Sequence, residues 1–228
     1  MQQIATQIPE KNVDVLIVGY GPVGAALAAM LGRLGVGCLV IDKLEEMVRM
    51  PRAIALDNEA LRILQMAGLS DQSFARYPIQ EVRMHCPYLG QFARVNTSGT
   101  IDCQPKLVTF YQPDLEQALR NVVNSLPNVT VVTQTELLSL EQSSAGVSAS
   151  VRNPDGSHQI LRASYLVGAD GASSAVRQFI GQAFEGETYA EDWLIVDVAA
   201  RDGAAIDHIE FICDPKRPTP HMPAPGGR

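Results

Sequence analysis

The stretch Val13-Asp14-Val15-Leu16-Ile17-Val18-Gly19-Tyr20-Gly21-Pro22-Val23-Gly24 decides the fold. Apart from Asp14 its first six residues are apolar and mostly β-branched, the pattern of a strand buried on both faces of a parallel sheet. Gly19 then makes a tight turn, Gly21 leaves the backbone bare for a pyrophosphate, and Gly24 lets the next helix pack closely on the strand. Ala25, Ala26, Ala28 and Ala29 continue the small face, and Gly35 is placed to close the helix as a left-handed cap. Residues 36–41 form the second strand, with Asp42 at its end, 18 residues beyond Gly24. A helix N-terminus offers free N–H groups and partial positive charge to a diphosphate, and an acid at that distance accepts hydrogen bonds from ribose hydroxyls. The unit predicts an adenine dinucleotide site without separating NAD from FAD.

The rest of the chain narrows the class. At 228 residues, 46% hydrophobic and 19% charged, it is an ordinary globular sequence with room for one large domain or two smaller ones. A net charge of −7 and the lack of a basic run argue against a nucleic acid as partner. Cys38, Cys86, Cys103 and Cys213 are scattered, with only His85 beside Cys86 as a local pair, so no metal site is expected and reduced thiols in a cytoplasmic setting fit. Residues 1–12 are polar and lack the order of a secretory signal. The apolar run 13–31 contains Asp14, three glycines and Pro22, so strand, turn and helix explain it better than a membrane span.

After Asp42 the pattern departs from a plain NAD-binding domain. Met50-Pro51-Arg52-Ala53 leads into a helix near 57–67, with Ala60, Leu61 and Leu64 at helical spacing and Gly68 as its stop. Residues 75–110 are expected as irregular strands and loops in a second layer. Gln112-Pro113-Asp114 opens a helix whose stripe is Leu115, Ala118, Leu119, Val122, Val123 and Leu126, and Pro127 ends it. A parallel strand at 129–132 follows, then short strands at 136–140, 146–151 and 159–163, with Asn153-Pro154-Asp155-Gly156 as a hairpin turn. A further buried strand at 165–169 ends at Asp170-Gly171, at the carboxyl edge of the sheet where ligands of such sheets bind, before a helix near 173–180 closed by Gly181.

The chain resembles the FAD-dependent aromatic hydroxylases of the p-hydroxybenzoate hydroxylase-like type. The resemblance rests on Val18 to Gly24, Asp42-Lys43, Pro51-Arg52-Ala53, Tyr111-Gln112-Pro113 and the run Gly168-Ala169-Asp170-Gly171-Ala172-Ser173-Ser174-Ala175-Val176-Arg177. It implies an α/β fold: a glutathione-reductase-like, Rossmann-type parallel sheet with a β-meander, plus the start of a mixed-sheet substrate domain. The expected boundaries are 1–74 and 106–186 for the FAD-binding domain, and 75–105 and 187–228 for part of the substrate domain. Gly19, Gly21, Pro22, Val23 and Gly24 would hold the pyrophosphate and Asp42, followed by Lys43, the adenosine ribose. Arg52 and Gln112 would contact FAD, and Asp170 and Gly171 belong to a motif serving FAD and NAD(P)H. Asp42 is the shorter alternative to the glutamate more common there.

Within the family, Glu210-Phe211-Ile212-Cys213-Asp214-Pro215-Lys216-Arg217-Pro218, after Asp192-Trp193-Leu194-Ile195-Val196-Asp197, is similar to the hydroxylases of meta-hydroxyphenyl carboxylic acids. The resemblance implies NAD(P)H as co-substrate, O₂ and a phenolic substrate, a catechol product, and allows a homodimer. No residue is assigned as acid, base or nucleophile; Tyr111, Tyr189, His85 and His208 are the groups able to hydrogen-bond a phenol. A flavin oxidase or reductase of the same fold, and a non-catalytic nucleotide-binding module, stay open. The family's later Gly-Asp motif has no counterpart here, since the sequence contains no Gly-Asp dipeptide. The expectation is an N-terminal portion that binds FAD weakly or not at all and hydroxylates nothing alone.

Overall fold

The computed structural model describes residues 12–48, 53–199 and 206–228. The elements run β1 (Val13–Val18), α1 (Pro22–Arg33), β2 (Cys38–Ile41), β3 (Ala55–Asp57), α2 (Asn58–Met66), β4 (Arg76–Pro78), β5 (Glu81–Cys86) and β6 (Gly90–Asn96). They continue with β7 (Thr100–Ile101), β8 (Gln104–Pro105), β9 (Leu107–Phe110), α3 (Gln112–Asn124), β10 (Val129–Val132), β11 (Glu136–Ser143) and β12 (Gly146–Arg152). The last are β13 (His158–Gly168), α4 (Ala175–Phe179), β14 (Ile209–Ile212) and β15 (Thr219–His221). Contacts group the chain into two units, Met1–Arg49 with Met66–Leu69 and Glu116–Thr188, and Met50–Gln65 with Ser70–Leu115 and Tyr189–Arg228.

The first unit is built on a six-stranded sheet in the order β10-β2-β1-β13-β12-β11. β10, β2, β1 and β13 are parallel, and β11, β12 and β13 form the antiparallel meander. The ends of three parallel strands share one level, because Val18 pairs with Ile41 on one side and Gly168 on the other. α1 packs on β1 and β2 through buried Gly24, Ala25, Ala28 and Ala29, small residues that let helix and sheet approach. It ends as the sequence requires: Gly35 takes φ +82, its N–H donates to Gly32, and that of Val36 donates to Leu31, a Schellman cap. That cap occupies Val36, so β2 begins at Cys38 rather than 36. The other core cluster joins Leu16, Val18, Leu39, Ile41 and Val132 to Ala149, Val151, Leu161 and Ala163 of the meander and Val176 of α4.

One expectation is corrected. The strands placed at 159–163 and 165–169 are a single strand, β13, eleven residues long. Residues 158–163 pair antiparallel with β12, residues 163–168 pair parallel with β1, and Ala163 serves both. No glycine or proline interrupts the run, so nothing turns the chain at Ser164. Nor is its second half buried: Tyr165, beyond the last residue paired with β12, is 71% exposed. The hairpin turn before it forms as expected, with Gly156 at φ +82 and its N–H on the carbonyl of Asn153.

In the second unit β3-β9-β4 and β15-β14-β5-β6 form two sheets, and β7 and β8 a short ribbon. Residues 75–105 are thus more regular than the sequence suggests. β14 lies parallel to β5, pairing Ile209 with Val82 and Ile212 with His85, so the segment around Glu210 shares a sheet with residues 81–96. Leu61, Leu64, Phe74, Ile79, Val108, Phe110 and Ile209 are its buried apolar residues, with Phe74 and Phe110 edge-to-face at 6.2 Å between ring centres. β9 pairs with both β3 and β4, which ties residues 55–57, 76–78 and 107–110 into one sheet.

Candidate functional site

The loops that follow β1, β2 and β13 meet at the carboxyl edge of the first unit's sheet. Gly19 leaves β1 with its N–H on the carbonyl of Ile41, and Ala169 leaves β13 with its N–H on the carbonyl of Val18. The two glycine-acid motifs are therefore in direct contact: a Cβ on Gly19, which has φ +106, would lie 2.4 Å from the Ala169 carbonyl oxygen. A Cβ on Gly24 would lie 1.9 Å from the Gly19 oxygen. Only glycine permits this closeness at either position.

Gly21 differs. Nothing lies within 4 Å of where its Cβ would stand. It is the N-cap of α1 with no side-chain cap, and Pro22 fills N1, where a missing N–H costs nothing. Among the described residues, the N–H groups of Gly21, Val23 and Gly24 donate to no protein acceptor. Orphan donors at a helix start, beside a bare Cα and the positive end of the dipole, form an anion cradle. These residues fit a dinucleotide diphosphate.

Asp42 stands beside this cradle and helps to build it. Its Oδ2 accepts the Tyr20 N–H at 2.6 Å and its Oδ1 accepts the Leu44 N–H at 2.8 Å. Each oxygen retains lone pairs, so the carboxylate holds the turn while keeping acceptor capacity for a ribose hydroxyl. Lys43 is exposed in the loop beyond it.

Asp170 is disposed differently. Its Oδ1 accepts the Ser174 hydroxyl at 2.6 Å, and its Oδ2 accepts the N–H groups of Ala175 at 2.7 Å and Val176 at 3.2 Å. Ser174 Oγ in turn accepts the Arg177 N–H at 3.0 Å. The carboxylate thus closes the start of α4, and Gly171 at φ +80 provides the bend that brings it there. Arg177 donates to the Ala172 carbonyl and stacks on Phe184.

Two residues of the site escaped the sequence. Arg120, on α3, donates from Nη2 to the Tyr20 carbonyl at 3.0 Å, and its Cζ lies 4.5 Å from the centre of the Tyr20 ring. Both side chains are buried, and burial pushes the Tyr20 hydroxyl up to about 12, against the smaller opposing effect of the Arg120 charge. The nearest signal was a charged residue bordering the apolar stripe of α3, which does not name its partner a hundred positions away.

Gln112 is buried in the second unit, where its Oε1 accepts the Ala53 N–H at 2.8 Å. Arg52 lies outside the described residues. Of the groups able to bond a phenol, Tyr189 is exposed, Tyr111 lies under the Arg228 guanidinium at 3.8 Å, His208 contacts Asp207 at 2.9 Å, and His85 sits in β5 opposite Ile212. The second unit also has an open polar depression of about 520 Å³ lined by Gln80, Glu81, Arg94, Asn96, Ser98 and Asp207. There the hydrogen bond from Arg83, aided by Arg94, holds the Glu81 carboxyl below its ordinary range, which leaves a neutralised cluster rather than a free base. Among the described residues no cluster of His, Cys, Asp and Glu could hold a metal, and no helix is long and apolar enough to cross a membrane.

Comparison with known proteins agrees with this geometry. The chain is 38% identical over 222 residues to a 3-(3-hydroxy-phenyl)propionate/3-hydroxycinnamic acid hydroxylase of Comamonas testosteroni, covering 97% of this chain and 38% of that protein. It is 35% identical over 208 residues to the same enzyme of Escherichia coli, covering 91% and 37%. The chain therefore spans well under half the length of the curated relatives it matches. Among solved structures, the flavin-dependent monooxygenase PieE in complex with FAD and substrate superposes with a TM-score of 0.69 at 29% identity, over 79% of this chain and 34% of that one. The p-nitrophenol 4-monooxygenase PnpA of Pseudomonas putida gives 0.71 at 26%, over 79% and 46%. A family model described as "FAD binding domain" matches residues 12–222. With that match over nearly its whole length, the chain belongs to the FAD binding domain family.

Proposed function

We propose that this chain is the cofactor-binding part of an FAD- and NAD(P)H-dependent monooxygenase that hydroxylates a phenolic aromatic acid, such as 3-(3-hydroxyphenyl)propionate, to a catechol. The observation that carries the cofactor is the cradle at Gly21, Val23 and Gly24, whose backbone donors have no protein acceptor among the described residues and stand beside an open Cα. The identity to the hydroxyphenylpropionate hydroxylases over more than nine-tenths of this chain supports the substrate class. In this reading Gly19 to Gly24 hold the diphosphate and Asp42 the adenosine ribose, with Lys43 nearby. Arg52 and Gln112 contact FAD, and Asp170 and Gly171 shape the neighbouring loop. Residues 1–74 and 106–186 form the FAD-binding domain, and residues 75–105 and 187–228 are part of the substrate domain.

Bound FAD supplies the electron transfer and oxygen activation, and the protein's share is to hold it, to orient the ring and to exclude water. The hydroxylation is assigned to the intact enzyme, acting with O₂ and free to form a homodimer. The 228 residues alone are expected to hold FAD more weakly than the hydroxylase relatives and to turn over no phenol.

The test is NAD(P)H consumption by the intact gene product with FAD, O₂ and 3-(3-hydroxyphenyl)propionate, followed by chromatography of the product. Substrate-stimulated consumption yielding a catechol is the expected result. Consumption that gives only hydrogen peroxide, with or without the phenol, would overturn it in favour of an oxidase or reductase. Retention of FAD without any NAD(P)H oxidation would make the protein a non-catalytic binding module.

A further inference from the structure

Arg120 is a buried cation whose hydrogen-bond partner is a backbone carbonyl rather than a carboxylate. Its side chain belongs to a residue only 8% exposed. Among the described residues no carboxylate lies within ion-pair distance of its guanidinium, and its Nε–H has no acceptor. Removing a guanidinium from water without a counter-charge is costly, and such groups are retained where something offsets the cost. The Tyr20 ring face and carbonyl offer part of that compensation.

The Tyr20–Gly21 peptide links this guanidinium to the cradle. The Tyr20 carbonyl and the Gly21 N–H belong to one peptide plane and point in opposite directions across it. Arg120 bonds the carbonyl at 3.0 Å, and the Gly21 N–H is one of the orphan donors of the cradle. A charge-assisted hydrogen bond to the oxygen polarises the amide and strengthens its N–H as a donor. The preceding peptide is fixed as well, since the Tyr20 N–H is held by Asp42 at 2.6 Å. Tyr20 is thus clamped from an anion at one end and a cation at the other, with Gly21 left facing the ligand.

We infer that Arg120 is a positioning residue for the cofactor diphosphate: acting through the Tyr20–Gly21 peptide, it fixes the glycine turn and places a buried positive charge behind it. The inference rests on the reading of this edge as an FAD site. It adds a long-range contributor from α3 to a cradle otherwise made of backbone.

The test titrates ADP, adenosine and FAD separately into the intact gene product and its R120M and R120K variants, by calorimetry and flavin fluorescence. Removing a hydrogen bond to a charged group, the R120M variant weakens ADP and FAD roughly 10- to 100-fold, while adenosine, which lacks the diphosphate, changes less than about 3-fold. R120K keeps the charge but loses the planar stack, and weakens ADP by about 3- to 10-fold with adenosine again unchanged. R120K also answers the question if R120M does not fold, since it preserves the cation under Tyr20. Equal ADP affinity in the parent and both Arg120 variants would overturn the inference and leave the FAD reading standing. Equal loss of adenosine and ADP would overturn it too, by reducing Arg120 to a general packing role. An intact parent protein that binds neither ADP nor FAD would overturn both.

Discussion

The turns after β1 and β13 look alike in sequence, each a glycine-rich bend leading into a helix at the same sheet edge, yet they treat the helix start in opposite ways. After β13 the protein provides its own anion: Asp170 takes the Ser174 hydroxyl and the Ala175 and Val176 N–H groups, so the first turn of α4 is satisfied internally. After β1 no side chain caps α1, and the donors of Gly21, Val23 and Gly24 meet no protein acceptor among the described residues. The acid that belongs to this second arrangement, Asp42, is set to one side, holding Tyr20 instead of the helix. The difference separates a helix start left open from one closed by the protein's own carboxylate. Glycines and an acid at a strand end do not distinguish the two; the position of the carboxylate does.

The sharpest way to break this comparison is Gly24→Ala. Its methyl would enter the Gly19 carbonyl, 1.9 Å away, and neither backbone segment is free to retreat because Gly19 is itself pressed on Ala169. The expected cost is about 3 kcal/mol or more, a fall in melting temperature of roughly 6–12 °C, with nucleotide binding lost. A variant melting with the parent would mean that the turn is looser than this packing requires.

Alkaline pH should act on the first turn as well. The Tyr20 hydroxyl ionises near 10 in an unfolded chain and only at about 12 in the fold, mainly because burial disfavours the anion. The unfolded state therefore releases its proton first, so stability is undiminished below pH 10 and falls as pH rises from 10 to 12, by about 2–3 kcal/mol in all. Denaturant midpoints measured across that range should decline less steeply in Tyr20→Phe. An identical slope in both proteins would show that the phenol is not buried beneath the turn.

How far the sequence carried is explained by the range of each contact. Gly19, Gly21, Gly24, Asp42 and the Schellman glycine Gly35 act within one βαβ unit, where spacing alone brings them together. The meander was legible for the same reason, with Asn153 to Gly156 marking its turn. β13 was split in the reading because its two halves have different neighbours, which only the assembled sheet reveals. Arg120 beneath Tyr20 and Gln112 on the Ala53 N–H join residues 100 and 59 positions apart, and no local pattern pairs them.

For the second turn the expected effects are smaller and concern the fold. Asp170→Ala leaves the first N–H groups of α4 without their acceptor, at a cost of about 1–2 kcal/mol, whereas Asp170→Asn keeps one acceptor oxygen for them and recovers part of it. Thermal melts of the two variants make the check. If Asn and Ala prove equally damaging, the charge rather than the cap is what matters, and the contrast between the turns weakens.

Gly21→Ala gives the smallest stability effect and the most specific outcome. At φ −76 any residue fits the backbone, and the new methyl meets nothing within 4 Å. Replacing glycine here restricts the unfolded chain, so the variant should match the parent or gain up to about 0.5–1 kcal/mol. The same methyl would stand where the diphosphate approaches, so ADP and FAD affinity should fall even as the melting temperature holds or rises. Stability and binding then move in opposite directions at Gly21 and together at Gly24, as expected if one glycine faces the ligand and the other faces the protein. A Gly21→Ala variant that binds ADP as tightly as the parent would place the diphosphate elsewhere on the sheet edge.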